Sequence, residues 1–147
     1  EPLELVHTDR AGPVDKSFGG CRFAIIFVDD YSRMRKVYTL RQKSGALWTL
    51  TQFERVQEFS AAYTPQQIDV AARSWRSIFE MAIANMITVN MGRRYWAEAV
   101  RLAVYCLNRA PMRPHNGGTP YEKWHGETPK LDHLRVFGCT AYVMFQS

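Results

Sequence analysis

The sequence predicts an α/β domain, and three stretches carry that prediction. Cys21 to Val28 is a run of apolar, β-favouring residues, the pattern of a buried central strand. In the stretch from Tyr63 to Arg73, Pro65 disfavours helix for the residue before it and suits a first helical turn, so a helix begins there with Thr64 as its cap. Behind that start Trp75, Ile78, Phe79, Ala82 and Met86 recur at helical spacing and form one apolar face. With 46% hydrophobic and 22% charged residues, the 147-residue chain has the material for one domain with a core and is not disordered by composition.

The remaining elements follow in order. Leu3 to Asp9 alternates apolar and polar and reads as a short strand ending at Asp9, before the turn signal Ala11-Gly12-Pro13. Asp29-Asp30-Tyr31-Ser32 makes a turn, and the alternation from Arg35 to Leu40 returns as a third, antiparallel strand. Ser44 caps a helix whose inward stripe is Ala46, Leu47, Leu50 and Phe53, ending near Gln57. A short strand from Glu58 to Tyr63 leads into the long helix, which runs to about Asn90 before the stop signal Met91-Gly92. Arg94 to Asn108 places Trp96, Ala99, Val100, Ala103 and Leu107 on one side of a further helix. Pro111 to Gly118 is a loop by composition, Thr119-Pro120 starts a short helix through Trp124, and Leu134 to Val143 has strand character.

The formal charge of +5 and pI near 9.3 suit an anionic partner such as nucleic acid. Cys21, Cys106 and Cys139 lie far apart and never in a C-x-x-C arrangement, so neither a zinc knuckle nor a disulfide framework is indicated and a reduced intracellular setting is expected. No apolar run approaches the roughly 18 residues of a membrane span, so no membrane partner is expected. The start at Glu1-Pro2 is not a signal peptide and suggests a fragment of something longer.

Tyr63-Thr64-Pro65-Gln66-Gln67 followed by Val70-Ala71-Ala72-Arg73 resembles the segment that introduces the catalytic glutamate in copia-type retrotransposon integrases. Further segments resemble the same family in the same order: Leu5-Val6-His7-Thr8-Asp9 with Gly12-Pro13, Phe27 to Arg33, Tyr95 to Ala99 with Leu107-Asn108-Arg109, and His133 to Cys139. The resemblance implies a ribonuclease H-like fold, a mixed sheet flanked by helices, in which three carboxylates hold two divalent ions, Mg²⁺ or Mn²⁺. It implies DNA as partner, duplex at a transposon end or target, and an ancestral reaction joining transposon 3′ ends to target DNA. It also implies a nuclear location. Oxygen ligands in octahedral array are what such ions require, and paired ions serve both the attacking and the leaving oxygen.

Only one of the three acids is matched. Asp9 stands at the first position, and it reads either as a metal ligand by descent or as a turn or cap residue. The segment that carries the second acid is missing, because Phe53 to Gln57 runs almost straight into Glu58-Phe59-Ser60. The third position is Ala72, with Asp69 one turn earlier as a weak substitute or as an acid favouring the helix dipole. The expected organisation is a core over 1–92, shortened near 57–58 and lacking a central strand and a helix. Residues 93–147 add a helix, loop and strand to the same core. An unpaired sheet edge left by the deletion invites a homo-oligomer. Arg33, Arg35, Lys36 and Arg73, with Gln66 and Gln67, are the expected DNA contacts, and Arg41, Lys43 and Arg76 belong to the same basic group; a solvated basic face is the other reading. The sequence therefore points to an integrase-derived domain that is catalytically inactive, with a non-catalytic nucleic-acid-binding or protein-interaction domain as the alternative.

Overall fold

A computed structural model describes residues 1–45 and 68–144. Its central element is β2 (Phe23–Asp29), in which the residues from Ala24 onward are all buried. Ala24, Ile26 and Val28 face one side of the sheet while Ile25 and Phe27 face the other, as strand alternation requires. β1 (Val6–Ala11) and β3 (Arg35–Leu40) flank it, both antiparallel, giving the order β1-β2-β3. The register sets Asp9 opposite Ile26 and Val37 opposite the same residue on the other edge.

Helices cover the Ile26 side. α1 (Ile68–Thr88) contributes Ala71, Trp75, Ile78 and Ala82, and α2 (Trp96–Arg109) contributes Trp96, Ala99, Val100 and Ala103 to one cluster with Ala24, Ile26 and Val28. Small alanines at the contact let the helices lie close to each other and to the sheet. Burying an aliphatic side chain such as Ile26 or Ile78 stabilises by about 1.5–3 kcal/mol, so this layer supplies most of the core. The opposite side carries a second cluster of Leu3, Val6, Ile25, Phe27 and Leu40, with Trp124 of α3 (Pro120–His125) packed on it.

Four expectations are corrected. β1 continues past Asp9 to Ala11 because β2 offers it ladder partners as far as Ala24, so Asp9 lies within the strand. β2 begins at Phe23 instead of Cys21, whose N–H is taken by Ser17 Oγ at 2.9 Å in the preceding loop. The long helix ends at Thr88 because Asn90, at φ 51°, takes the left-handed cap position; Met91 N–H then reaches Met86 C=O at 2.8 Å, and Gly92 is not needed. The tail from Leu134 to Met144 forms no strand: Cys139 N–H turns back to Val136 C=O at 3.1 Å, with Gly138 at φ 77°. β-prone composition alone cannot hold a strand without a ladder partner.

β3 matches its expected limits, and α2 matches its own to within two residues after a short 3₁₀ turn, Arg93–Tyr95. At α3, Thr119 Oγ1 accepts from Glu122 N–H at 3.0 Å and Glu122 Oε2 accepts from Thr119 N–H at 2.7 Å, a reciprocal cap that fixes the helix start. The expected helix from Ser44 to Gln57, the strand from Glu58 to Tyr63 and the Thr64-Pro65 helix start fall on or run into residues outside the described ones. The sheet is antiparallel among the described residues.

The outer edge of β3 meets a side chain in place of a strand. Buried Asn108 accepts from Arg35 N–H at 2.9 Å and donates to Arg35 C=O at 2.7 Å, so its carboxamide imitates a neighbouring peptide. Asn108→Ala leaves both backbone groups without that partner, and the expected loss is about 1–3 kcal/mol, read as a lower urea midpoint with unchanged slope. An unshifted midpoint would mean that water replaces the amide at no loss.

Candidate carboxylate site and basic surfaces

Asp9 faces the helix-covered side of the sheet, since it is paired with Ile26, and α1 packs against β1 there. Its half-buried carboxylate accepts from the Arg10 N–H at 2.7 Å. The neighbouring α1 carries Ala72, the position that the family resemblance gives to the third acid. Ala71 is fully buried in the core while Ala72, next along the helix, is exposed. Position 72 therefore sits beside the packed face and offers a methyl group where the family resemblance calls for a carboxylate.

Asp69 does not fill the gap. It is exposed and forms an ion pair with Arg73, one turn further along the same helix. That pair occupies both residues on the solvent side of α1, and an exposed pair of this kind adds little stability. Asp29 and Asp30 are also engaged. The Asp29 carboxylate accepts from Leu3 N–H at 2.6 Å, Ser32 N–H at 2.7 Å and Ser32 Oγ at 2.5 Å, which ties the β2–β3 turn to the chain start. Asp30 meets buried His7 Nε2 at 2.6 Å and Arg33 at 3.2 Å.

Among the described residues no three His, Cys, Asp or Glu side chains come together as a metal-binding group. A pair of Mg²⁺ or Mn²⁺ ions needs several shared oxygens, so the described donors do not fit a two-metal centre. Asp9 alone would be one ligand.

The expected DNA contacts are dispersed. Arg35 is a correction: its side chain is buried, with Nε and Nη1 lacking partners, so it presents no charge to a phosphate. Burial and the nearby Arg33 charge both push its pKa down. Lys36, paired with Phe27, lies on the opposite side of the sheet and is half-buried, which lowers its ammonium pKa. Arg33 is held by Asp30 and Arg73 by Asp69. Gln66 and Gln67 lie outside the described residues. A basic cluster sits at the β1–β2 connection, where Lys16, Arg22, Arg41 and Arg94 converge around Phe18; of the four, Arg41 alone belongs to the basic group expected from the sequence. Only the K-S-F-G-G spelling of that loop hinted at it; Arg94 arrives through the fold.

The architecture, a β-meander covered by two helices in an α/β domain, is that of an integrase catalytic core. The HTLV-2 integrase catalytic core domain, solved in complex with magnesium in a trimeric form, superposes with a TM-score of 0.59 over 84% of this chain and 97% of that one, at 13% identity. No family model matches the sequence. It is 29% identical over 176 residues to the retrovirus-related Pol polyprotein from transposon TNT 1-94 of Nicotiana tabacum, and 27% identical over 174 to that from transposon RE1 of Arabidopsis thaliana. These matches cover 95% and 96% of this chain but only 13% and 12% of the relatives. The chain thus shares its fold with integrase catalytic cores and is similar in sequence to a stretch of transposon Pol polyproteins, spanning about an eighth of their length. Both alignments run longer than the 147 residues available, so the relatives carry residues with no counterpart here.

Removing the buried charge tests the correction at Arg35. Arg35→Met is expected to leave the melting temperature unchanged or raise it, and to leave DNA affinity unaltered. Lys36→Gln is expected to weaken duplex binding and to lessen the salt slope by about 0.9. A lower melting temperature or weaker binding in Arg35→Met would show that its charge is used after all.

Proposed function

We propose that this chain is a degenerate integrase core, descended from an enzyme that joined transposon DNA ends to target DNA, which has lost strand transfer and retains nucleic-acid binding. The observation that carries the reading is Ala72. A carboxylate at that helix position is required beside Asp9, and the chain supplies a methyl group, with Asp69 turned to Arg73. The excess length of the relatives' alignments supports a deletion, which we assign near residues 57–58, between the first expected helix and Tyr63. A core of this kind would work in the nucleus on DNA. The trimeric form of the similar core supports self-association, and exposed Ile83 and Ile87 on α1 offer apolar surface for it. No described helix is long and apolar enough to cross a membrane.

The non-catalytic reading is favoured over retained catalysis by the same residue, and the charge of +5 suits the nucleic-acid partner of either reading. Purified protein with end-mimicking duplex DNA and Mg²⁺ or Mn²⁺ is expected to give no nicked or joined product, while binding duplex DNA with an affinity that falls steeply with salt and is unchanged in Asp9→Asn. Metal-dependent product that vanishes in Asp9→Asn would overturn the loss of catalysis. Absence of binding at low ionic strength would remove the binding function.

A further inference from the structure

The β1–β2 connection carries an aromatic pair in the midst of several cations. Phe18 is 68% exposed, yet its loop is pinned: Phe18 N–H donates to Arg94 C=O at 2.7 Å, Ser17 N–H to Cys21 C=O at 2.8 Å, and Gly20 N–H to Ser17 C=O at 2.9 Å. Trp96 Nε1 adds a bond to Asp15 C=O at 2.8 Å. The ring lies parallel to Tyr95, with centroids 5.7 Å apart and planes 7° from each other, and the Arg94 guanidinium sits 5.8 Å from the Phe18 centroid. A concave surface of about 650 Å³ opens beside it, lined by Lys16, Arg22, Arg41 and Arg94 and by no carboxylate. None of these four cations is ion-paired among the described residues.

Each part has an ordinary explanation alone, since single exposed aromatics and solvated basic faces are common. Their conjunction does not. Four like charges gathered round one hollow repel one another unless an anion enters, and a rigid aromatic step held open to solvent gains nothing from the core. An aromatic platform beside cations that follow a backbone is how unpaired nucleic acid is held, because every base has a face to stack and every linkage a charge. In a duplex the bases already stack on each other and cannot reach such a step.

We propose that Phe18, stacked on Tyr95 and bordered by Lys16, Arg22, Arg41 and Arg94, binds an unpaired segment of DNA, one base stacking on Phe18 and the flanking phosphates meeting the cations. This deepens the nucleic-acid-binding half of the function proposed above and rests on it. The platform shares Arg41 with the expected basic group, while Lys36 and Arg73 are not among its lining residues.

Fluorescence anisotropy with a labelled oligothymidylate and a labelled closed-hairpin duplex, titrated over salt concentration, tests it. Phe18→Ala, an exposed change in a loop held by backbone bonds, is expected to weaken single-strand binding about 5- to 100-fold and leave duplex binding unchanged. Phe18→Trp is expected to retain the affinity. Arg41→Gln is expected to reduce the single-strand salt slope by about 0.7. Equal oligothymidylate affinity for Phe18→Ala and the parent, with native circular dichroism, overturns the platform. Displacement of the oligomer by inorganic phosphate equally well from both proteins overturns it too. Binding lost in Lys36→Gln but kept in the platform variants overturns the platform and leaves the DNA-binding reading standing; no binding of either probe at low salt overturns both.

Discussion

Because β2 is covered on both faces, its neighbours have little choice of position. Ile26 and Val28 exclude water only if two helices lie across them, and Ile25 and Phe27 require apolar cover on the other side. Period-two alternation then commits β1 and β3: a slip of one residue in β3, for example, would turn Val37 outward and bring Lys36 into the helix layer. The same register places Asp9 under α1. Asp9 therefore keeps its position for reasons of packing alone, with no chemistry needed to hold it there.

The helix face shows why adjacent positions tolerate substitution so differently. Ala71 and Ala72 are neighbours in sequence, yet one is sealed in the core and the other is open to solvent. Replacing a glutamate at position 72 removes a ligand without opening a cavity, so the fold tolerates what a metal site does not. Ala71 has no such freedom, since a longer side chain there would collide with a packed layer. A change of side chain at position 72 is thus compatible with a persistent fold.

The sequence was legible where the deciding interaction is local. The strand at Arg35 to Leu40, the apolar faces of both long helices and the Thr119 cap all follow from spacing within a few residues. It was not legible where a distant partner decides. Arg35 reads as a surface cation in an alternating strand, and only Asn108, 73 residues away, and the helix layer reveal that it is buried. The tail from Leu134 has the composition of a strand, but composition cannot supply the neighbour that a strand needs. Of the candidate site, Asp9 and Ala72 could be located in the sequence. The Phe18 platform could not, because Tyr95 and Arg94 come from a turn far along the chain.

Binding and chemistry make different demands on a fold. Two-metal chemistry fails when a single oxygen donor is lost, because the ions need their full ligand set at fixed distances. Phosphate binding declines gradually, each cation adding its share through counterion release, so deletion of a segment can leave a useful remainder. Stacking is similarly tolerant of sequence and needs only an open aromatic face. The backbone bonds that pin Phe18 join the β1–β2 loop to Arg94 and to its own residues, and none involves Asp9 or position 72. A change at Asp9 or at position 72 therefore leaves that loop undisturbed, since it is held by its own backbone bonds and by those to Arg94 and Trp96.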